Sequence, residues 1–330
     1  MRHGGDLTEA MARFGGAPDD WLDLSTGINP HAWPLREIAP RFWESLPASR
    51  DLEALLMAAR AAYAVPRNAR IVAAPGTQAL IQWMPQLAPE GRVAVLSPTY
   101  NEHVAAFRAA GRSVVEIFDT ADLADATSLI VVNPNNPDGR VLTLAQLASM
   151  AADIKARGGW LIVDESFVDT MPDASCVGLC ETHPVVVLRS FGKFFGLAGV
   201  RLGFLIANAE IAARFRGALG PWAVAGPALA IGRAALLDMG WAAQMRRQLE
   251  AEATALDALL VGNGFSVVGG TSLYRLAHHS DATALHEHLA SQHIWVRRFD
   301  WDDQLLRFGL PASSAQLWRL QQALAAHATA

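Results

Sequence analysis

Only two of the 27 basic residues are lysines. One of them, Lys193, sits in the segment Val185-Val-Val-Leu-Arg-Ser-Phe-Gly-Lys-Phe-Phe-Gly-Leu-Ala-Gly-Val-Arg-Leu-Gly-Phe204. Near neutral pH a lysine is a poor nucleophile unless desolvation or a neighbouring cation lowers its pKa, and the usual use of such an amine is a Schiff base with an aldehyde. Phe191, Phe194 and Phe195 are close in sequence, and Arg189 and Arg201 are within reach of a compact loop. The alternative is a buried stem with a surface-seeking amine.

Four further segments carry groups of the right type. Trp160-Leu-Ile-Val-Asp-Glu-Ser-Phe167 puts Asp164 at the end of an apolar strand, where a parallel sheet faces its ligand crevice. An acid there can keep a pyridine nitrogen protonated and improve a ring cofactor as an electron sink; the alternatives are a helix N-cap or a metal-binding acid. Glu165 reads as the cap of a loop. Asn133-Pro-Asn-Asn-Pro-Asp-Gly139 must turn sharply, and its carboxamides can donate to an anionic or phenolic oxygen, unless it is a turn without a ligand. Pro75-Gly-Thr-Gln-Ala-Leu-Ile81 joins a strand to a helix, so its amides and the Thr77 hydroxyl suit a phosphate dianion. It is not a Walker loop, and Gly196-Leu-Ala-Gly199 is not a dinucleotide fingerprint. In Ser97-Pro-Thr-Tyr-Asn-Glu-His103, Tyr100 can lie flat against an aromatic cofactor and His103 can buttress an acid behind it. A core tyrosine and a surface histidine are the other reading.

The elements that must position these groups follow one rhythm. Short β-branched runs at 71–74, 92–96, 113–118, 128–132, 160–163, 185–188 and 204–206 alternate with Ala/Leu-rich helical stretches at 78–87, 102–110 and 142–157. Such alternation predicts an α/β fold with a mainly parallel sheet covered on both faces. From about Pro227 the pattern turns α+β: a long helical region to Leu260, strands near 265–268, 272–276, 294–297 and 305–308, and helices over 282–292 and 314–326. Residues 1–40, rich in glycine and proline, read as an arm contributing to the small domain or to a dimer contact. The expected division is therefore arm 1–40, large domain 41–226 and small domain 227–330.

Composition narrows the classes. A chain of 330 residues with 52% apolar and 18% charged residues can bury a sizeable core, and its net charge of −5 offers no bulk field for nucleic acid or an anionic membrane. Cys176 and Cys180 are too few for a disulfide scaffold and weak as a metal site, so no metal is expected. No apolar run approaches the roughly 20 residues that span a bilayer, and a cytoplasmic location is the simplest expectation.

Taken in order, these residues resemble the aspartate-aminotransferase fold family, the fold type I enzymes dependent on pyridoxal 5'-phosphate, and in particular its histidinol-phosphate-aminotransferase-like branch. The resemblance covers most of the chain. It implies a three-layer large domain with a mainly parallel sheet, a smaller α+β domain, and a homodimer. It places the Schiff base on Lys193, the ring-nitrogen acid on Asp164 with His103 supporting it, and the ring that stacks on the cofactor on Tyr100. The donor to the phenolic oxygen falls on Asn136. Cofactor phosphate falls to Arg201, Ser190 and the amides of Gly76 and Thr77. Arg307, in Leu305-Leu-Arg-Phe-Gly309, matches the clamp for a substrate carboxylate.

The departures from the family pattern are informative. Phe167 stands where aminotransferases usually carry a tyrosine, Gly192 where a serine is frequent before the lysine, and Leu46 where a tyrosine commonly reaches the neighbouring subunit's cofactor. Phe167, the Ser-Phe-Gly-Lys wording, the short length and Leu24-Ser-Thr-Gly-Ile-Asn-Pro30 resemble the branch's cobalamin-pathway decarboxylases more than its aminotransferases. The implied reaction converts L-threonine O-3-phosphate to (R)-1-aminopropan-2-yl phosphate and CO2; transamination of histidinol phosphate or a related amino acid is the alternative. The phosphorylated amino-acid substrate needs a second anion site, for which Asn29 is the candidate carried forward, against a plain turn before Pro30.

Overall fold

A computed structural model describes residues 4–123 and 125–328. In chain order it opens with helix α1 (Thr8–Phe14), strand β1 (Leu22–Leu24), helices α2 (Arg41–Glu44) and α3 (Ser49–Ala62), and strand β2 (Arg70–Ala74). Helix α4 (Thr77–Leu87), strand β3 (Val93–Leu96), helix α5 (Glu102–Ala109), strands β4 (Val114–Ile117) and β5 (Ser128–Val132), and helix α6 (Leu144–Ala156) follow. Next come strands β6 (Trp160–Asp164) and β7 (Val185–Ser190), the one-turn helix α7 (Phe191–Phe194), strand β8 (Gly203–Ala207), and helices α8 (Ala209–Leu219), α9 (Gly226–Leu237) and α10 (Met239–Gly262). The chain closes with β9 (Ser266–Thr271), β10 (Tyr274–His278), α11 (Ala282–Ser291), β11 (Ile294–Arg298), β12 (Leu305–Gly309) and α12 (Ser314–Ala328).

Contacts divide the chain into two compact units. The larger comprises residues 32–136 and 140–243, and the smaller comprises residues up to 31, 137–139 and 244 onward. The larger unit holds a seven-stranded sheet in the order β2-β8-β7-β6-β5-β3-β4. Its strands pair in parallel except at β8, which runs antiparallel to both β2 and β7. One face packs Val95, Ile130, Ile162 and Leu188 against Leu80 and Ile81 of α4, Phe107 of α5 and Phe215 of α8. The alternate residues Leu129, Val131, Leu161, Val163, Val185 and Val187 are just as buried, so both faces are covered. Burying one large apolar side chain of this kind contributes on the order of 2–3 kcal/mol.

Local signals explain where these helices begin and stop. Thr143 and Gln146 form a reciprocal capping box at the start of α6, and Gly158 follows its end at φ 71°. Asn208 caps α8 by accepting from the Ile211 amide at 2.9 Å. The long helical region expected up to Leu260 is two helices, parted at Asp238, whose carboxylate accepts from the Trp241 amide at 3.1 Å and from Trp33 Nε1 at 3.2 Å. Helix α9, which composition grouped with the C-terminal lobe, packs against α3 within the larger unit.

The smaller unit is a five-stranded sheet in the order β1-β11-β12-β10-β9. Strand β1 pairs in parallel with β11, and the other pairings are antiparallel. The segment expected to run as an arm thus supplies an edge strand, with Leu22 and Leu24 buried. Gly139 belongs here too: a Cβ on it would meet the Gly270 carbonyl oxygen at 1.9 Å, so the turn at 137–139 packs backbone to backbone on β9. Among the described residues no helix is long and apolar enough to cross a membrane.

Candidate active site

The ends of β5, β6 and β7 and the start of α4 surround a cleft in the larger unit with about 720 Å³ of empty space, part of it open to solvent. Gly76, Thr77, Tyr100, Asn136, Asp164, Ser190, Lys193 and Arg201 line it, eight residues spread over 126 positions of sequence. His103 stands behind Asp164. Asn29 and Arg307 lie in the smaller unit.

Asp164 is the last residue of β6 and is 2% exposed. His103 Nε2, on α5, is 2.9 Å from its Oδ2, and the Ser166 amide and hydroxyl both donate to its Oδ1. Burial pushes this carboxyl up, but His103 and the Ser166 donors outweigh it, and the net direction is below the ordinary carboxylate range. The group is therefore an anion at neutral pH, held where a ring nitrogen can meet it. Tyr100 presents its ring edge-on to His103, with centroids 6.1 Å apart, and its hydroxyl donates to Gln78 Oε1 at 3.3 Å. Gln78 in turn donates to Glu102 at 2.8 Å, which fixes the amide orientation.

The anion seat is built from backbone. Gly76 caps α4 at φ 82°, and a Cβ on it would meet Arg201 Nη2 at 2.6 Å. A Cβ on Gly203 would meet the Thr77 nitrogen at 2.5 Å. Arg201 itself is left-handed, at φ 52° and ψ 57°, and its Nη1 donates to the Ala198 carbonyl at 3.1 Å. Two missing side chains thus bring a guanidinium and the first amides of an 11-residue helix together, beside Ser190. That combination can hold a phosphate dianion. An acid held ionised, an amine and this anion seat, all lining one cleft, fit the pyridoxal phosphate that the resemblance implies.

Lys193 lies on α7, with Nζ 5.9 Å from the Phe167 ring centroid. Phe167 is 4% exposed and lines the same cleft. The aromatic neighbours read from the sequence do pack around α7: Phe191 stacks on Phe195 at 4.6 Å, and Phe195 stacks on Trp241 at 5.6 Å. Gly192 shows why serine is absent there. A Cβ on it would meet Ala198 Cα at 2.7 Å, because the 198–200 turn rests directly on α7.

One sequence expectation changes. Arg189 does not line the cleft; it is buried and ion-paired with Glu165 and Asp169. Glu165 does cap a loop, accepting the Ser175 hydroxyl and the Cys176 amide, and pairs with Arg189 as well. Sequence reasoning also missed Gln78 and Ser166. Their signals were thin: a glutamine in the first turn of a helix, and a serine two residues after the acid.

In the smaller unit, Arg307 is 7% exposed and its Nη2 donates to the Ser25 carbonyl at 2.6 Å. Burial depresses its pKa to about 10, with Tyr274 opposing that shift. Asn29 is buried and accepts the His31 amide at 2.8 Å, the turn that was its bland reading.

The family model for aminotransferase class I and II matches residues 43–324, and the chain belongs to that family. It is 45% identical over 326 residues to a threonine-phosphate decarboxylase from Sinorhizobium sp, covering 98% of this chain and 97% of that protein. It is 43% identical over 329 residues to the threonine-phosphate decarboxylase of Pseudomonas aeruginosa, at 98% and 97% coverage. Among solved structures, the histidinol-phosphate aminotransferase from Sinorhizobium meliloti in complex with pyridoxal-5'-phosphate superposes with a TM-score of 0.87 at 17% identity, covering 98% of this chain and 95% of that one. This last likeness is one of fold.

Proposed function

We propose that this chain is a pyridoxal-phosphate-dependent carbon–carbon lyase that decarboxylates L-threonine O-3-phosphate to (R)-1-aminopropan-2-yl phosphate and CO2. The observation that carries the reading is 45% and 43% identity, along nearly the whole length, to proteins named for that reaction. A histidinol-phosphate aminotransferase from Shewanella amazonensis is 29% identical over 319 residues, 88% of this chain and 83% of that protein. Bound pyridoxal phosphate supplies an aldehyde for amines and an electron sink for the bond broken at the substrate α-carbon.

The roles of the side chains belong to the same proposal. Lys193 Nζ would hold the cofactor aldehyde and, once freed by the substrate amine, would hold the proton that goes to the α-carbon in place of CO2. Asp164, kept anionic by His103 and Ser166, would hold a proton on the cofactor's ring nitrogen. Tyr100 covers the ring, and Asn136 donates to the phenolic oxygen. Arg201, Ser190, Thr77 and the Gly76 turn bind the cofactor phosphate. Arg307 is assigned the substrate carboxylate and Asn29 the substrate phosphate, both on the family's pattern. By orienting the substrate carboxylate, the Arg307 clamp would decide decarboxylation against proton loss. Phe167 puts an apolar face beside Lys193 where an aminotransferase offers a second phenolic donor.

A homodimer in the cytoplasm completes the reading. Trp43 on α2, Leu46 just after it, Met57 on α3 and Trp222 before α9 are all more than half exposed in the larger unit, an apolar set suited to a second copy.

The test is to incubate the purified holoenzyme with L-threonine O-3-phosphate and measure CO2, retained primary amine and 2-oxo product together. CO2 with retained amine is the expected result. An oxo product with pyridoxamine phosphate and no CO2 would overturn the proposal in favour of transamination.

A further inference from the structure

Asp164 and Ser190 occupy neighbouring strands and the same side of the pleat, one at the ring-nitrogen side of the cleft and the other beside the anion seat. The β6–β7 ladder runs to Asp164 opposite Leu188, and the Glu165 amide donates to the Leu188 carbonyl at 2.8 Å. Beyond that point side chains take over. Because strand side chains alternate, Glu165 and Arg189 fall on the reverse side of the sheet from Asp164 and Ser190. There Arg189 Nη1 donates to Glu165 Oε2 at 3.1 Å, and its Nη2 donates to Asp169. Glu165 also accepts the Ser175 hydroxyl at 2.7 Å and the Cys176 amide at 2.6 Å. The Arg189 guanidinium sits 4.1 Å over the Tyr63 ring.

This cluster is costly. Arg189 is 2% exposed and Glu165 0%, and taking such charges out of water often costs more than their attraction returns. A closely packed apolar pair would serve stability as well, so stability alone is a poor account of it. Its place in the sheet gives a better one. Ser190 pairs with Gly203, and Gly203 packs on the Thr77 nitrogen. Beside the backbone bond from the Glu165 amide to Leu188, Arg189 is therefore a side-chain tie between Glu165, the residue next to Asp164, and the strand that carries the phosphate-side row Ser190–Gly203–Thr77.

We infer that Arg189, clamped by Glu165 and Asp169, is a positioning residue that sets the separation between the ring-nitrogen acid and the phosphate seat, and with it the placement of Lys193 four residues on. The inference rests on the cleft being a pyridoxal phosphate site, but not on which substrate it serves. The planar fork matters as much as the charge, since each of its two nitrogens engages a different carboxylate.

The experiment compares wild type with Arg189→Lys, Glu165→Gln and Arg189→Met as full-length protein. Three quantities are read: the Kd for pyridoxal phosphate, the pH midpoint of the bound cofactor's visible absorption, and Tm. Loss of an outer partner of this kind is expected to weaken cofactor binding about tenfold or more and to move the pH midpoint. Arg189→Lys keeps the charge and most of the volume, so it decides the matter if Arg189→Met does not fold. Unchanged Kd and midpoint in Arg189→Lys and Glu165→Gln, with a lower Tm, would overturn the inference and leave a merely structural ion pair. Failure of the wild type to bind pyridoxal phosphate would instead sink the cofactor site itself.

Discussion

The clearest residue-scale contrast is between Lys193 and Arg189, four positions apart. Asn136, Asp164, Lys193 and Arg201 could be nominated together because these types at that spacing and in that order are rare, and all four line the cleft. Arg189 was misread because one step of the pleat separates a cleft-facing side chain from one turned into the core, and loop proximity does not say which. Ser166 and Gln78 were missed because their role is to hold other side chains, a choice made by tertiary packing. Phe167 offers a direct test at this scale. In Phe167→Tyr a new hydroxyl can donate to the cofactor's phenolic oxygen, which favours its ionised form. The pH midpoint of the visible absorption is expected to fall by about one unit. A spectrophotometric titration that leaves the midpoint at the wild-type value would remove Phe167 from the electronics of the site.

At the scale of elements, most strand and helix positions followed from hydrophobic period, including all the strands of the large sheet. Helices α1, α2, α3, α7 and α8 and strand β1 were not assigned. The α3 run, Ser49–Ala62, buries Leu55, Ala58 and Ala59 on one face, but it precedes the first strand of the alternating rhythm and was read only as part of the large domain. Strand β1 is three residues long and gains its identity only from β11, far along the chain. The break at Asp238 was invisible to periodicity because it depends on a side chain reaching back to Trp33. The Gly76 turn carries the prediction here. Gly76→Ala forces a side chain into the Arg201 guanidinium at a backbone angle of φ 82°. Cofactor affinity is expected to drop about tenfold or more, because the helix start and the guanidinium can no longer share one anion. Equilibrium dialysis against pyridoxal phosphate measures this, and a wild-type Kd would show that the seat lies elsewhere.

At the scale of the whole molecule, acid stability depends on His286. It is 2% exposed, its ring lies 4.7 Å from that of Trp295, and burial together with Arg298 depresses its pKa to about 4, against 6.5 in the unfolded chain. The unfolded state therefore binds the extra proton first. Stability contributed by the neutral ring is complete above pH 6.5 and is lost as pH falls toward 4, by at most about 3 kcal/mol from this group. In His286→Leu the drop in Tm between pH 7 and pH 4 is expected to be smaller than in wild type. Equal drops, followed by circular dichroism, would assign the acid sensitivity to other groups.

The pairing of β1 with β11 also orders events during synthesis. Residues 22–24 emerge long before residues 294–296, their strand partners. The contacts that define the larger unit are complete once residue 243 is made. The smaller sheet must instead wait for β9 to β12 while its own edge strand stays unpaired across more than 200 residues of chain. Closing so long a loop is slow. Until then Leu22 and Leu24 stand exposed on a nascent chain, and it is this early strand that a ribosome-associated chaperone would have most reason to hold.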